Sequence, residues 1–408
     1  MSTWDLFLPC AAGVEAMLAD EARGLLPKQA STVQARRAGV QLRGGWDTVL
    51  RLNLHSRLAQ RVLLRLAYAP YQAEDDLYAL AKAQTWEAWF GARERIKVEV
   101  TAQRSPLKSL NFAALRIKDA ICDRLRDKSG ARPDVDTRNP DVRIYLHLDA
   151  QNATLYLDTS GEPLFKRGWR EDRGDAPLKE TLAAAMLWAC GWNAQADTLP
   201  LYDPCCGSGT LVIEAAQMLC RIAPGLQRRF GFEKLMGFPR SDWSALLNEA
   251  RAAVRAQPDS IHIFGSDVAH RMVDFAQRNA RRAGVAQALE LRGGDALQRL
   301  PPCERPGILL LNPPYGERID VAGVAAPGRE RPQHEAAQGD FFLQLAQHWK
   351  RHYGGWQAWL LTPDLKLPGR MRFKESRRVP LWNGPIECRL FGFDLRPRST
   401  ESTAPPQP

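Results

Sequence analysis

The 408-residue sequence contains no apolar run approaching the ~20 residues that a membrane-spanning helix requires, which argues against an integral membrane protein. A basic leader is missing too: Glu15, Asp20 and Glu21 interrupt the N-terminal stretch where a signal peptide would need its apolar core. The eight cysteines form no CxxC pair and no His/Cys ligand cluster, and only Cys205 and Cys206 lie close together. Reduced thiols, no metal and a cytoplasmic location are therefore expected. No repeat occurs at a solenoid period. Behind the main glycine-rich turn there is neither a G-x-G-x-x-G dinucleotide fingerprint nor the G-K-[ST] of a phosphate-binding loop.

What is present is a globular composition, 45% hydrophobic and 25% charged, on a chain long enough for two or three compact units. A net charge of +10 favours polyanionic partners without specifying one. Residues 1–60 read as a small α+β part, with strands at 5–9, 32–35 and 39–42 and an amphipathic helix at 13–24. In 61–165, the strand-like runs RVLLRLAYA, RIKVEVTAQ, VRIYLHLD and ATLYLDTS flank a helix predicted over 111–126. Its apolar face is expected at Phe112, Leu115, Ile117, Ile121 and Leu125, opposite a basic face that either is simply solvated or contacts RNA. From about 175, apolar strands alternate with helices, which implies a mainly parallel sheet covered on both faces. Residues 221–260 form a long insertion, 321–338 a charged Gly/Pro/Ala-rich loop, and 396–408 a proline-rich tail expected to be disordered.

Two segments carry chemistry. In LYDPCCGSGTLVIEAA (201–216) a strand ends at Asp203, a glycine-rich loop follows, and a helix begins. Gly207 and Gly209 permit a tight turn with room for a ligand against the main chain, and the helix start offers free amides to a carboxylate. Such a site suits a cofactor with a ribose and an amino-acid carboxylate but no phosphate. Asp267 and Asp295 follow the next two strands, where one can accept from ribose hydroxyls and the other from an adenine amine; alone each would more often be a helix cap or turn residue, and their shared place at successive strand ends favours the site. The second segment, LLLNPPYGER (309–318), places Asn312 at a strand end ahead of Pro313 and Pro314. The prolines hold the backbone extended, leaving the Asn312 side-chain oxygen and the Pro313 carbonyl to accept both hydrogens of an NH₂ group, while Tyr315 offers a stacking face.

Together DPCCGSGT and NPPYGER resemble the class I methyltransferases that modify exocyclic base amines. SLNFAALRIKDAICDRLRDKSGARPDVDTRNPDVRIYLHL looks like a THUMP RNA-binding domain, and SGEPLFKRGWREDRGDAPLKETLAAAML resembles the linker and opening helix of the large-subunit ribosomal RNA guanine-N2 methyltransferases. The resemblance, over residues 3–395, implies a Rossmann-like α/β methyltransferase domain at 166–395, with a ferredoxin-like part at 1–60 and a THUMP domain at 61–165 forming an α+β RNA-binding module before it. It implies S-adenosylmethionine bound by Asp203, Gly207, Gly209, Thr210, Asp267 and Asp295, with Lys179 in a segment closing over the methionine end. Catalysis is implied at Asn312, Pro313, Pro314 and Tyr315, and the reaction is methylation of the N2 amine of a guanine in 23S ribosomal RNA, free or within a pre-50S particle. Lys118, Arg132, Lys166 and Arg167 are candidates for RNA contact, and a monomer or weak dimer is expected.

Two features depart from the pattern. Some relatives carry a second half that makes 7-methylguanine, and this sequence stops before one, so a single activity is expected. The 321–338 loop is long and is expected to alter how the base is admitted. Alternatives are a tRNA guanine-N2 or adenine-N6 methyltransferase, although Asn312 rather than Asp resembles the guanine class, and a non-catalytic RNA-binding or ribosome-assembly factor.

Overall fold

The computed structural model describes residues 3–174, 177–194, 198–256, 260, 262–313 and 334–397, with the side chains of 334–340 left out. Its chain falls into two units, residues 1–168 with 223–253, and 169–222 with 254–408. Pro314, Tyr315, the 321–338 loop up to residue 333 and the tail from 398 lie outside the described residues.

The first unit runs β1 (Trp4–Pro9), α1 (Glu15–Leu25), β2 (Gln34–Arg36), β3 (Gly39–Gly44), α2 (Trp46–His55), β4 (Leu63–Pro70), α3 (Glu74–Lys82), β5 (Ile96–Ala102), α4 (Leu110–Ser129), β6 (Val142–Leu148) and β7 (Asn152–Asp158). All seven strands join one sheet in the order β2-β3-β1-β4-β7-β6-β5. The parts read separately from the sequence at 1–60 and 61–165 thus share a sheet, joined where β1 pairs with β4 through Leu6↔Leu64 and Phe7↔Leu63. The period of two places Leu6, Leu8, Val40, Leu42, Leu64, Ile144, Leu146, Leu155 and Leu157 in the core. Only β5 and β6 pair in parallel, and α4 makes the crossover that a parallel pair requires.

Helix α4 starts where Ser109 Oγ accepts from the Phe112 amide and ends at Gly130, whose φ of 75° supplies the left-handed turn. Its core face is Ala113, Ile117, Ala120, Ile121 and Leu125, whereas Phe112 and Leu115 are 49% and 44% exposed. The expected apolar face is corrected accordingly. At ~100° per residue, positions five and two before Ile117 point away from the core.

The second unit runs α5 (Glu180–Ala189), β8 (Leu201–Asp203), α6 (Thr210–Leu219), then, past the segment given to the first unit and its α7 (Arg240–Ala252), β9 (Ile263–Asp267), α8 (His270–Arg282), β10 (Glu290–Gly293), β11 (Ile308–Leu311), α9 (His334–His352), β12 (Gln357–Thr362), α10 (Leu367–Arg370), β13 (Arg377–Asn383) and β14 (Ile386–Asp394). The sheet order is β10-β9-β8-β11-β12-β14-β13, parallel from β10 to β12 and antiparallel at β14. Every residue of β11 is buried, as expected for a strand covered on both faces. No helix of the described residues is long and apolar enough to cross a membrane.

Residues 223–253 belong with the first unit for a local reason. The Gly225 amide donates to the Leu54 carbonyl at 2.9 Å, and the Arg228 guanidinium reaches the carbonyls of Ser160, Glu162, Pro163 and Lys166 at 2.5–3.1 Å. Burial lowers the pKa of that guanidinium to about 10. Phe230, Phe232 and Trp243 form an aromatic cluster under the segment.

Candidate active site

Four consecutive strands of the second sheet, β10, β9, β8 and β11, deliver the predicted site residues to one edge. Asp203 ends β8 opposite Gly265, Asp267 ends β9 opposite Gly293, and Asn312 follows the last residue of β11. Strand order reverses between β8 and β11, so the crevice that open parallel sheets use for ligands opens beyond these carboxyl ends.

The loop after β8 is tied to both neighbours. Asp203 Oδ1 accepts from the Cys205 amide at 3.0 Å, Cys206 N donates to the Ser266 carbonyl at 2.9 Å, and Gly207 N donates to Asp267 Oδ2 at 2.9 Å. Gly209 has φ 89°, and a Cβ there would stand 3.0 Å from Ala276 Cβ and Ile213 Cδ1, so both backbone and packing require glycine. At Gly207, by contrast, an added Cβ would meet, among the described residues, only Met272 Cε at 3.9 Å, which leaves space on the loop's surface for a ligand.

Asp203 is 2% exposed, and burial, assisted by the neighbouring Asp267, raises its pKa to about 8. Burial also raises the Asp267 pKa, against the Ala269 and Gly207 amides that stabilise its ionised form. The Cys205 and Cys206 thiols are held far above their ordinary range by burial and the surrounding aspartates, so neither is an activated nucleophile. Asp295 Oδ1 accepts from the Leu297 amide at 2.9 Å, a turn-capping bond that occupies one of its two oxygens. Asn312 is half-buried, and its Oδ1 is inaccessible to solvent with no hydrogen-bond partner among the described residues. Pro313 beside it is buried.

Thr210 opens α6 and Lys179 immediately precedes α5. Between them stands Arg170, which sequence reasoning misses. Its Nε donates to Glu180 Oε1 at 2.8 Å, Nη1 to Ser208 Oγ at 3.0 Å, and Nη2 to Thr210 Oγ1 at 2.7 Å and the Leu178 carbonyl at 3.3 Å. Asn279 is missed as well: its Nδ2 donates to the carbonyls of Asp172 and Ser208 at 3.0 and 3.1 Å. It falls on the same face of α8 as buried Val273, Ala276 and Ala280, and a polar residue at that spacing is the one signal that could have found it.

The RNA-contact candidates divide. Arg132 and Lys166 are exposed, the latter paired with Glu162, and half-buried Lys118 is 2.5 Å from Asp119. Arg167 is corrected: only 2% exposed, it donates to the Leu164 and Arg57 carbonyls at 2.9 and 2.7 Å, and so serves the fold of the first unit rather than presenting charge to a phosphate.

Three family models match the chain: one described as RMKL-like, methyltransferase domain, over 167–391; the THUMP domain over 71–158; and the RlmL ferredoxin-like domain over 5–63. Among sequence relatives, the ribosomal RNA large subunit methyltransferase K/L of Pseudomonas paraeruginosa is 38% identical over 401 residues, 97% of this chain and 53% of the relative. The protein of the same name from Syntrophotalea carbinolica is 38% identical over 395 residues, 95% of this chain and 53% of its own. The chain thus spans about half the length of these curated relatives. Among solved structures, SMU.472 complexed with SAH aligns with a TM-score of 0.82 and 27% identity over 97% of this chain and 99% of that one. A Listeria monocytogenes chain described as a predicted N6-adenine-specific DNA methylase aligns with a TM-score of 0.82 and 27% identity over 96% of each.

Proposed function

Because the chain belongs to the RMKL-like methyltransferase family, with THUMP and ferredoxin-like domains ahead of the transferase domain, we propose that it methylates the exocyclic N2 amine of a guanine in 23S ribosomal RNA. The observation that carries this reading is the Asn312 side-chain oxygen, buried without a partner among the described residues at the end of β11, beside the carboxylates that end β8 and β9. A buried acceptor left open in this way costs stability unless a ligand satisfies it, and a base amine is a donor of the right kind.

The residues present fit S-adenosylmethionine. Asp267 would accept from its ribose, Asp295 from its adenine amine, and Gly207, Gly209, Thr210, Lys179 and buried Asp203 would form the wall of its pocket. When bound, the cofactor supplies an electrophilic methyl group on a sulfonium. Asn312 Oδ1 and the Pro313 carbonyl hold the two amine hydrogens, drawing the nitrogen lone pair out of conjugation with the purine. Pro314 would restrict the backbone of the motif and Tyr315 would offer its ring to the extruded base. No strong base is needed beforehand: the amine nitrogen would attack as the sulfonium S–CH₃ bond breaks, S-adenosylhomocysteine would leave as a neutral thioether, and the amine, acidic only once the N–C bond has formed, would then lose its proton to water; catalysis is positioning and electrostatics.

We assign a cytoplasmic location, and a substrate that is 23S RNA free or within a pre-50S particle, to a monomer or weak dimer. Nucleoside mass spectrometry of ribosomal RNA from a deletion strain tests the reading: loss of one N2-methylguanine supports it, and an unchanged nucleoside profile sinks it.

Two predictions probe the parts separately. Asp267→Ala weakens S-adenosylmethionine binding by about 1–3 kcal/mol through loss of charge-assisted hydrogen bonds, measured by calorimetry on folded protein. Unchanged affinity would remove Asp267 from the site. Neutralising Lys118 and Arg132 flattens the salt dependence of RNA binding, by a slope of roughly one for each phosphate that no longer meets a cation, with cofactor affinity untouched. An unaltered slope would place the phosphates elsewhere.

A further inference from the structure

Alternation along the strands of the first sheet sends most of the leucines to the helix-covered side, which leaves the other side to be explained. There the cross-strand register lines up polar and aromatic residues: Phe7 lies opposite Gln41, Arg65 opposite Tyr156, Tyr156 opposite Tyr145, and Tyr145 opposite Glu99. The Phe7 and Tyr156 ring centroids are 6.0 Å apart with planes inclined by 35°. Both rings are only half-buried. Tyr68, beside a β-bulge in β4, is 57% exposed with the Arg65 guanidinium 5.8 Å from its ring centroid. Phe7, Gln41, Arg36, Arg65, Tyr68 and Tyr156 line a shallow pocket of ≈ 200 Å³.

A solvated sheet face ordinarily carries polar residues, whereas here a Phe and two tyrosines lie close together and partly open to water. Around Phe7, Tyr156 and Tyr68 basic residues predominate. Strands β1, β2, β3 and β4 and the β2–β3 turn contribute Arg36, Arg37, Arg43 and Arg65, against Asp5 as their single carboxylate, which Arg65 and Arg43 already engage. Aromatic faces flanked by arginines suit a partner with planar rings and regularly spaced negative charge. Single-stranded RNA has both, whereas a duplex hides its base faces in the stack.

We propose that this open face of the first sheet holds unpaired nucleotides of the RNA substrate, with bases stacked on Phe7, Tyr156 and Tyr68 and phosphates on Arg36, Arg37 and Arg43. The assignment rests on RNA being the substrate, but it concerns a surface on the first unit rather than the methyl-transfer site. It gives the first unit a means of gripping a loop or a strand end.

Fluorescence anisotropy on the full chain tests it, with a short fluorescein-labelled oligouridylate and an RNA duplex of equal length as probes. Phe7→Leu/Tyr156→Leu should weaken single-strand binding at least about tenfold and leave duplex binding unchanged. Phe7→Tyr and Tyr156→Phe should retain binding. Arg36→Ala/Arg43→Ala, at exposed positions that folding tolerates, should lower the salt slope by about two. Unchanged single-strand affinity in both double variants overturns the inference, as does an equal loss on the duplex, which would make the face a phosphate surface without stacking. A shift in sedimentation with RNA binding intact would make it a contact between copies and also overturn it. If the wild-type chain binds and methylates RNA while the variants bind as well as it does, only this inference fails; if the wild type binds neither probe and methylates no RNA, the proposed function fails with it.

Discussion

Asn312→Ala lowers the single-turnover rate of methyl transfer by about two to three powers of ten, the effect of removing one preorganised polar group, while affinity for RNA and cofactor changes little. The asymmetry follows from when the oxygen works. Among the described residues the buried Asn312 Oδ1 has no hydrogen-bond partner that alanine would forfeit. As the target nitrogen gains positive charge its N–H groups become stronger donors, so the interaction grows from ground state to transition state. The same reasoning predicts that the alanine variant is no less stable than the parent, since an unsatisfied buried acceptor is removed. Rapid-quench measurement at saturating cofactor, alongside urea denaturation, separates the two effects. Wild-type transfer by the alanine enzyme would reduce the proline turn to architecture, and a large loss of stability would mean that the oxygen has a structural partner after all.

The parts of this molecule legible in the sequence are those governed by local rules. Strand ends at Asp203, Asp267 and Asn312 can be placed because each apolar run stops at a polar residue ahead of a turn or loop, and the parallel sheet brings such ends to one edge whatever the rest of the chain does. Helix α4 is legible in existence but short at its C-terminal end, expected over 111–126 and found over Leu110–Ser129, and it is not legible in orientation. Phe112 and Leu115 look like core residues in any hydrophobicity count, and only tertiary packing reveals that they face outward. Long-range pairing is equally hidden. Nothing local announces that β1 meets β4, or that residues 223–253 fold back on the first unit through Arg228 and Gly225. Arginines are the hardest to read: Arg167, Arg170 and Arg228 all look like surface charge in sequence, yet each is held among carbonyls or beside a buried carboxylate.

Arg170 carries the second large effect, and Arg170→Ala costs the fold about 3–5 kcal/mol, the range for breaking a buried ion pair from one side. The Arg170 and Glu180 side chains are 9% and 4% exposed, so water cannot replace the lost guanidinium around the carboxylate. The same guanidinium spans Ser208, Thr210 and the Leu178 carbonyl, joining the segment before α5 to the start of α6. A planar fork is needed for that reach, and a lysine ammonium is a single point of charge. Arg170→Lys should therefore keep much of the stability by remaining beside Glu180, yet bind S-adenosylmethionine more weakly, because Ser208 and Thr210 lose the donors that fix their hydroxyls at the glycine loop. Urea denaturation read together with calorimetric titration distinguishes the two variants. An alanine variant with an unchanged midpoint would show that the ion pair contributes nothing to folding, and a lysine variant with full cofactor affinity would confine Arg170 to the fold and leave the glycine loop to position itself.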